Sequence, residues 1–422
     1  MKKLLLLFIV YTTSFATIKA QGTWAPRAPL PDTITAQGIS GFSVNGYGYG
    51  GLGNDQYDFN KLSDKLWRFD PSSNSWAQMA SFPGSARVAP ACFVICNKAY
   101  LVTGSVASDG KCVKECWEYD ATANQWTRKT DFLGGARTYA VGFSINGIGY
   151  VGTGANEVSD FYKDFFSYNP ITDKWAQIAD FGGIARDGDC GFAANGKGYV
   201  CFGQDSTIKN HNDMWEYDPV LNTWSQKSNS PGPGLLGAIG FSICDNIYVG
   251  SGDSTSAFLA DDHRFWRYNT SLDSWTREAN IPPPTRIQGT AFAIGDTGYY
   301  GFGFDSTGSI LDNIFDSFFA GDTCTNIDTC SINTGYDNIA DNSIISIYPN
   351  PFSDVCYIKL PRNAGNTTVF SLLDIAGIKQ EADIKGNGTN YTLERNGLKD
   401  GVYILTIKYN EQVLHKKIII IN

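Results

Sequence analysis

Four arginines recur at a near-constant step along this 422-residue chain: Arg87, Arg137, Arg186 and Arg286, separated by 50, 49 and 100 residues. Four guanidinium groups at one register would form a ring suited to carboxylates, for example those of acidic sugars, because each offers a planar fork of donors. The structural reading of the same pattern is that each arginine bonds a neighbouring repeat's backbone or a loop aspartate. Fixed register favours that reading, since packing needs repetition and a ligand rarely needs four copies. Before and between the arginines lie loops carrying Asp55 and Tyr57, Asp160 and Tyr162, Asp205 and His211, then Asp253, Asp262 and His263. Such residues would make a mixed-charge, aromatic rim for a sugar or an extended peptide, although scattered aspartates commonly cap turns. Arg137 and Asp189, with Asp187 nearby, are the candidates for an acid and a base. Phosphate-binding loops, nucleophile elbows and metalloprotease motifs are absent from the sequence, which leans against catalysis. No metal or cofactor is expected.

These residues need a scaffold, and aromatic spacing identifies it. Trp67, Trp117, Phe166, Trp215, Trp266 and Phe315 are separated by 50, 49, 49, 51 and 49 residues. A second series, Trp76, Trp126, Trp175, Trp224 and Trp275, follows the first five by nine residues each time. The position nine residues past Phe315 is Cys324, and the one tryptophan left over is Trp24. Within one repeat, an apolar run from Ala140 to Ile145 turns at Asn146-Gly147 into Ile148–Val151, and Gly152-Thr153-Gly154 follows. Asn-Gly between alternating apolar residues is a strong hairpin signal. Each repeat therefore reads as four short strands.

A period near 50 with a glycine pair after the second strand and spaced aromatics resembles the kelch repeat. The likeness covers roughly Thr23 to Phe319 and extends to the central domain of galactose oxidase-like proteins. Val102-Thr103-Gly104 and Cys201-Phe202-Gly203 depart from it by losing the first glycine. The resemblance implies an all-β fold, a β-propeller. Since an open ring would expose a sheet edge, Trp24 and its neighbours are expected to supply the outer strand of the last blade, giving six blades. The resemblance also raises copper chemistry, with His211 and His263 as imidazoles, but no Tyr or Cys matches the remaining roles. Some exported six-bladed kelch proteins epimerise sialic acid, which makes sugar isomerisation the other enzymatic alternative.

Net charge of −9 argues against nucleic acid and against anionic membrane surfaces. Met1-Lys2-Lys3 and the apolar run Leu4–Val10 read as a signal peptide within residues 1–20, too short for a transmembrane segment. In an exported chain ten cysteines permit disulfides. Candidate pairs are Cys190 with Cys201, across the Asn195-Gly196 turn, Cys112 with Cys116, and Cys324 with Cys330. Cys92, Cys96, Cys244 and Cys356 have no evident partner.

The kelch period stops before a polar stretch, residues 322–343, read as a linker between a propeller at 21–321 and a second domain at 344–422. Alternating apolar runs there suggest a small immunoglobulin-like β-sandwich. Tyr348-Pro349-Asn350-Pro351, Asp374-Ile375-Ala376-Gly377, the segment from Leu398 through Gly401 to Tyr403, and Lys416-Lys417 near the end resemble the C-terminal sorting domain of the Por, or type IX, secretion system of Bacteroidetes. That resemblance implies export and contact with the type IX machinery. Together these readings give a secreted or cell-surface kelch propeller that binds an extracellular glycan or protein without catalysis. The alternative is a carbohydrate-active enzyme, epimerase-like or a galactose oxidase-like copper enzyme.

Overall fold

The two-residue hairpin turns set the repeat. Asn45 and Gly46 have φ of 53° and 79°, and Asn146 and Gly147 of 50° and 77°. Two consecutive left-handed residues match the twist of the flanking strands and force a tight return. The inner pair of strands then sits in direct register, as in Phe143↔Tyr150 and Ile145↔Ile148. The computed structural model describes residues 22–31, 38, 40–54, 61–106, 110–255, 262–305, 314–321, 346–348, 353–360, 368–374, 379–409 and 412–420. The signal-peptide and linker readings fall outside them. The chain forms two compact units, residues 1–332 and 333–422.

Among the described residues, the first unit contains six four-stranded antiparallel sheets. Four are built from strands consecutive in sequence, as in Val141–Ile145, Ile148–Gly152, Phe165–Asn169 and Lys174–Gln177, and a fifth is interrupted by Ser105–Val106 and Lys111–Cys112, which belong to a separate three-stranded sheet. The sixth is Thr290–Ile294, Thr297–Gly301 and Phe315–Phe319, and its outer strand is Thr23–Pro26 from the other end of the chain. Trp24 pairs with Phe318 in that ladder.

Two cycles of hydrogen bonds explain the aromatic period and the closure. In the outer cycle each outer-strand indole N–H donates to a carbonyl of the preceding sheet. Trp76 bonds Ala28, Trp126 bonds Ala80, Trp175 bonds Thr130, Trp224 bonds Ala179 and Trp275 bonds Ser228, all at 2.7–3.1 Å. Trp24 bonds Ala279 at 3.1 Å and completes the circuit. In the inner cycle, backbone N–H groups run from sheet to sheet around the axis. Gly38 donates to Gln288, Ala89 to Gly38, Tyr139 to Ala89, Gly188 to Tyr139, Gly237 to Gly188, and Gln288 to Gly237, at 2.9–3.4 Å. All six residues are left-handed, with φ between 48° and 66°. We call this inner cycle the collar. Between the cycles, clusters of stacked aromatics fill the sheet interfaces, for example Phe93 on Tyr100 at 5.0 Å.

The second unit holds two four-stranded antiparallel sheets. Ile347, Cys356, Ile358, Leu372, Leu393, Leu405 and Ile418, from both sheets, form one buried cluster. Tyr348 ends the strand Ser346–Tyr348, Gly401 opens the strand Gly401–Tyr409, and Lys416 and Lys417 lie in Gln412–Ile420. The Tyr403 hydroxyl donates to the Lys399 carbonyl at 2.8 Å. Pro349, Asn350, Pro351 and Gly377 lie outside the described residues.

Candidate functional site

Five repeats open on a described residue that is buried, and in four of them it is arginine. Arg87, Arg137, Arg186 and Arg286 are 0% exposed. Arg186 Nε donates to the Ile184 carbonyl at 3.0 Å and Nη1 to the Phe202 carbonyl at 2.9 Å. Its fork grips both oxygens of Asp213, at 2.5 and 2.9 Å. Arg137 repeats this with Thr153 and Asp164, and Arg87 with Thr103 and Glu115. Their guanidiniums stack over Phe181, Phe132 and Phe82 at 5.1, 5.0 and 4.8 Å. Arg286 bonds the Ile314 carbonyl at 2.9 Å and lies 3.5 Å from Asp316. These guanidiniums are therefore not free to form a carboxylate-binding ring, the less favoured of the two readings. The groups are buried in ion pairs, and the partners lie in the same repeat rather than the next.

Electrostatics agree with that geometry. Burial would raise the Glu115 carboxyl, but donors from Arg87, Trp117 and Arg128 outweigh it and bring it down to about 2. Burial likewise works against Asp213, and Arg186 holds it below the ordinary range. The fifth repeat makes a coupled exchange: Leu235 replaces the arginine and is buried, while Arg264 occupies the carboxylate's position. Arg264 pairs instead with Asp262, at 2.7 and 2.8 Å.

The candidate loop residues are mostly spent on their own loops. Asp160 accepts from Asn156 Nδ2 at 3.0 Å, and Tyr162 accepts from the same amide at 3.2 Å while its ring covers Arg137 at 4.1 Å. Asp205 caps Thr207 and Lys209 and shares a 2.8 Å hydrogen bond with His211. Burial opposes ionisation of Asp205, yet these donors pull its carboxyl well below the usual range. His263 Nδ1 sits 3.4 Å from the Ile281 carbonyl. Asp55 and Tyr57 lie outside the described residues. No three His, Cys, Asp or Glu side chains come together as a metal site among the described residues.

Two of the three expected disulfides are corrected. Cys190 and Cys201 face each other in register, as the turn implied, but both are free thiols. The Cys190 thiol turns to the Ala238 carbonyl, 3.0 Å away in the next sheet. Cys112 and Cys116 are also free and belong to different sheets, Cys112 in a three-stranded sheet and Cys116 in the second four-stranded one. Cys324 and Cys330 lie outside the described residues. Cys96 and Cys244 are disulfide-bonded. Both occupy the left-handed hairpin position held elsewhere by Asn45, Asn146 and Asn195, so cysteine in place of asparagine at this register is the sequence signal that sets the pair apart.

The collar departs from the repeat in one place. Asp187 and Asp189 flank Gly188, the collar residue of the fourth sheet, whose inner strands are nine residues long rather than five. In sequence the other repeats carry Gln37, Val88, Thr138, Leu236 and Ile287 before the collar residue and Ile39, Pro90, Ala140, Ala238 and Gly289 after it, none of them a carboxylate. Asp189 accepts from the Thr153 hydroxyl at 3.1 Å, while its Oδ2 is buried without a partner. Burial raises the Asp187 carboxyl to about 6 and the Asp189 carboxyl to about 8. Beside them the Tyr139 hydroxyl donates to Gln288 Oε1 at 3.1 Å, joining collar residues of the third and sixth sheets across the axis. Sequence reasoning named the two aspartates only as part of an acid–base pair with Arg137, which is buried elsewhere. Tyr139 and Gln288 were missed, although glycine at the same register (Gly38, Gly188, Gly237) marks a left-handed position.

Comparison with known families now adds to the geometry. Residues 47–235 match the family described as the KLHDC2/KLHL20/DRC7 Kelch-repeats domain. The chain carries kelch repeats. Residues 346–421 match the Secretion system C-terminal sorting domain, so the second unit of this kelch protein is a Por sorting domain. Among solved structures, the kelch propeller YjhT is similar with a TM-score of 0.57 at 16% identity, covering 67% of this chain and 95% of that one. No curated protein matches. The fold is that of a kelch β-propeller, and the sorting domain indicates export to the cell surface or extracellular space. No helix among the described residues is long and apolar enough to cross a membrane.

Proposed function

We propose that this exported kelch protein is a binding module for an extracellular glycan or protein, delivered through type IX machinery that reads its C-terminal domain. The observation that carries the reading is how the polar residues are used. Arginines, loop aspartates and both described loop histidines are bonded within their own repeats, which yields a rigid patterned face instead of convergent reactive groups. Rigid elements presenting variable loops are a common arrangement for recognition. The signal peptide at 1–20, the linker at 322–343 and final release or surface attachment belong to this proposal.

The test is binding of the full chain to a glycan array and, in parallel, to extracellular protein fractions. Saturable binding without turnover supports the module. A second reading rests on the two raised carboxyls: Asp187 and Asp189 would serve a carbohydrate-active enzyme as base and acid. Incubating the protein with candidate sugars and following their configuration by NMR separates the two, since epimerisation would establish the enzyme.

A further inference from the structure

Sheet edges are liabilities that proteins shorten, charge or cover, because each presents a row of unpaired backbone donors and acceptors. The second unit has four edge strands among the described residues, and three of them are blunted. Ser346–Tyr348 is three residues long and Lys379–Gln380 two. Asp383–Asn387 has five, and its Lys385 is paired with Asp383 at 2.8 Å and with Glu394 at 3.3 Å. The fourth, Gln412–Ile420, is different. It has nine residues, contains neither proline nor glycine, and pairs without interruption with Gly401–Tyr409, from Tyr409↔Gln412 to Gly401↔Ile420. No strand lies on its other side among the described residues. Its inner face is fixed, since Ile418 and Ile420 are buried in the core cluster with Leu405 and Ile407. A long, unbroken edge held rigid is what strand addition uses: the partner's main chain completes the ladder.

A two-residue connection sets Tyr409 and Gln412 as a hydrogen-bonded pair, and such pairs alternate along an antiparallel ladder. The backbone groups of Val413, His415, Lys417 and Ile419 therefore point to the open side. Charge selects what fits there. The two strands Gly401–Tyr409 and Gln412–Ile420 carry Lys408, His415, Lys416 and Lys417 and no carboxylate. No ion pair of Lys408 or Lys416 occurs among the described residues. Lys408 is exposed and pairs in register with Val413, which puts it on the opposite face from Lys416, so the edge offers a cation on each face. A second copy pairing antiparallel through the same strand in full overlap would place Lys416 opposite its own copy, a like-charge pair that disfavours the dimer. We propose that the open edge of Gln412–Ile420 is a docking strand for an extended acidic segment of the type IX machinery, which adds to the sheet as a fifth strand. This deepens the delivery half of the reading above and rests on it.

The experiment uses the full chain and a pair of synthetic strand peptides, one alternating valine with glutamate and the other valine with lysine. The expected result is saturable binding of the glutamate strand, about tenfold or more tighter than the lysine strand, with amide exchange of Val413, His415, Lys417 and Ile419 slowed in the complex. His415→Pro removes one outward donor at an edge position that tolerates proline. Its melting temperature should hold, while affinity for the glutamate strand falls about tenfold and export from a cell with the type IX system is lost. Equal affinity for the two peptides, or unchanged exchange at those amides in the saturated complex, overturns the docking edge, and so does export of His415→Pro at the wild-type level. Should that variant unfold, Lys416→Glu, which keeps every backbone donor, decides: a weakened preference for glutamate supports the edge, and an unchanged preference overturns it. Amides already protected in the free chain would mean that a second copy or this chain's own residues cover the edge, which also overturns it. Removing residues 346–422 tests the underlying reading separately. Export that survives the deletion refutes type IX delivery, whereas export lost there but intact in the edge variants refutes the docking edge alone.

Discussion

Replacing Arg186 by leucine tests whether the repeated arginines hold the blades or serve a ligand. The side chain makes four hydrogen bonds, to the Ile184 and Phe202 carbonyls and to both Asp213 oxygens, and stacks over Phe181. Leucine keeps most of the volume and is the residue the fifth repeat uses, so overpacking is not the main effect. What remains is a largely buried Asp213 without its cation and two carbonyls without donors. Removing one partner of a buried pair costs about 3–5 kcal/mol. The Trp215 indole still donates to Asp213 at 2.8 Å, which places the loss near the lower end, about 3 kcal/mol. For a propeller of roughly 300 residues that is a melting shift of about 5 °C. Urea unfolding followed by tryptophan fluorescence should show a lower midpoint at unchanged slope. The Arg186→Leu/Asp213→Asn double variant should recover about 1 kcal/mol by removing the orphaned charge. A loss below about 1 kcal/mol, accompanied by lost ligand binding, would refute the structural assignment.

Three other outcomes follow from the same structure. Trp24→Phe removes the indole bond to Ala279 and should cost about 1 kcal/mol, while Trp24→Ala also loses packing on Phe265 and Phe318 and should cost about 3 kcal/mol, both read by chemical denaturation. Burial raises Asp189 to about 8, with Arg186 opposing and Asp187 adding to the shift, so the folded state holds a proton that the unfolded state has lost above its ordinary carboxyl range. Stability attributable to this group is therefore greatest at low pH and falls as pH rises towards 8, by roughly a few kcal/mol; Asp189→Asn should flatten the melting-temperature profile between pH 5 and 8, and an unchanged slope would count against the assignment. Alkylation of denatured, unreduced protein should label Cys190, Cys201, Cys112 and Cys116, and a recovered Cys190–Cys201 cross-linked peptide would contradict the free-thiol assignment.

Much of the fold was legible because its determinants are periodic. The tryptophan series encodes the outer cycle directly, and a leftover Trp24 at the right interval pointed to the strand that joins the two ends of the propeller. The Por sorting domain was readable from short motifs in a fixed order. The site was harder to see. A fixed arginine register carries no sign of whether the guanidinium faces water or a carboxylate two strands away, and Asp164 and Asp213 gave no sequence signal of being its partner. Cysteine register was read correctly for Cys190 and Cys201, yet a thiol that turns to the Ala238 carbonyl of the next sheet is a tertiary fact. Tyr139 and Gln288 are 149 residues apart and meet because the ring puts their repeats opposite each other, which no local pattern reveals.

The closed ring is the claim on which the collar depends, and native-state hydrogen exchange reads it directly. The amides of Gly38, Ala89, Tyr139, Gly188, Gly237 and Gln288 each donate to the neighbouring sheet. In a ring joined by the Thr23–Pro26 strand they should all exchange in the slowest class and respond to denaturant together, since opening any one requires opening the circuit. Exchange of Gly38, whose amide donates to Gln288, about a hundredfold faster than that of Tyr139 and Gly188, a gap of about 2.7 kcal/mol, would mean the ring is open between its sixth and first sheets.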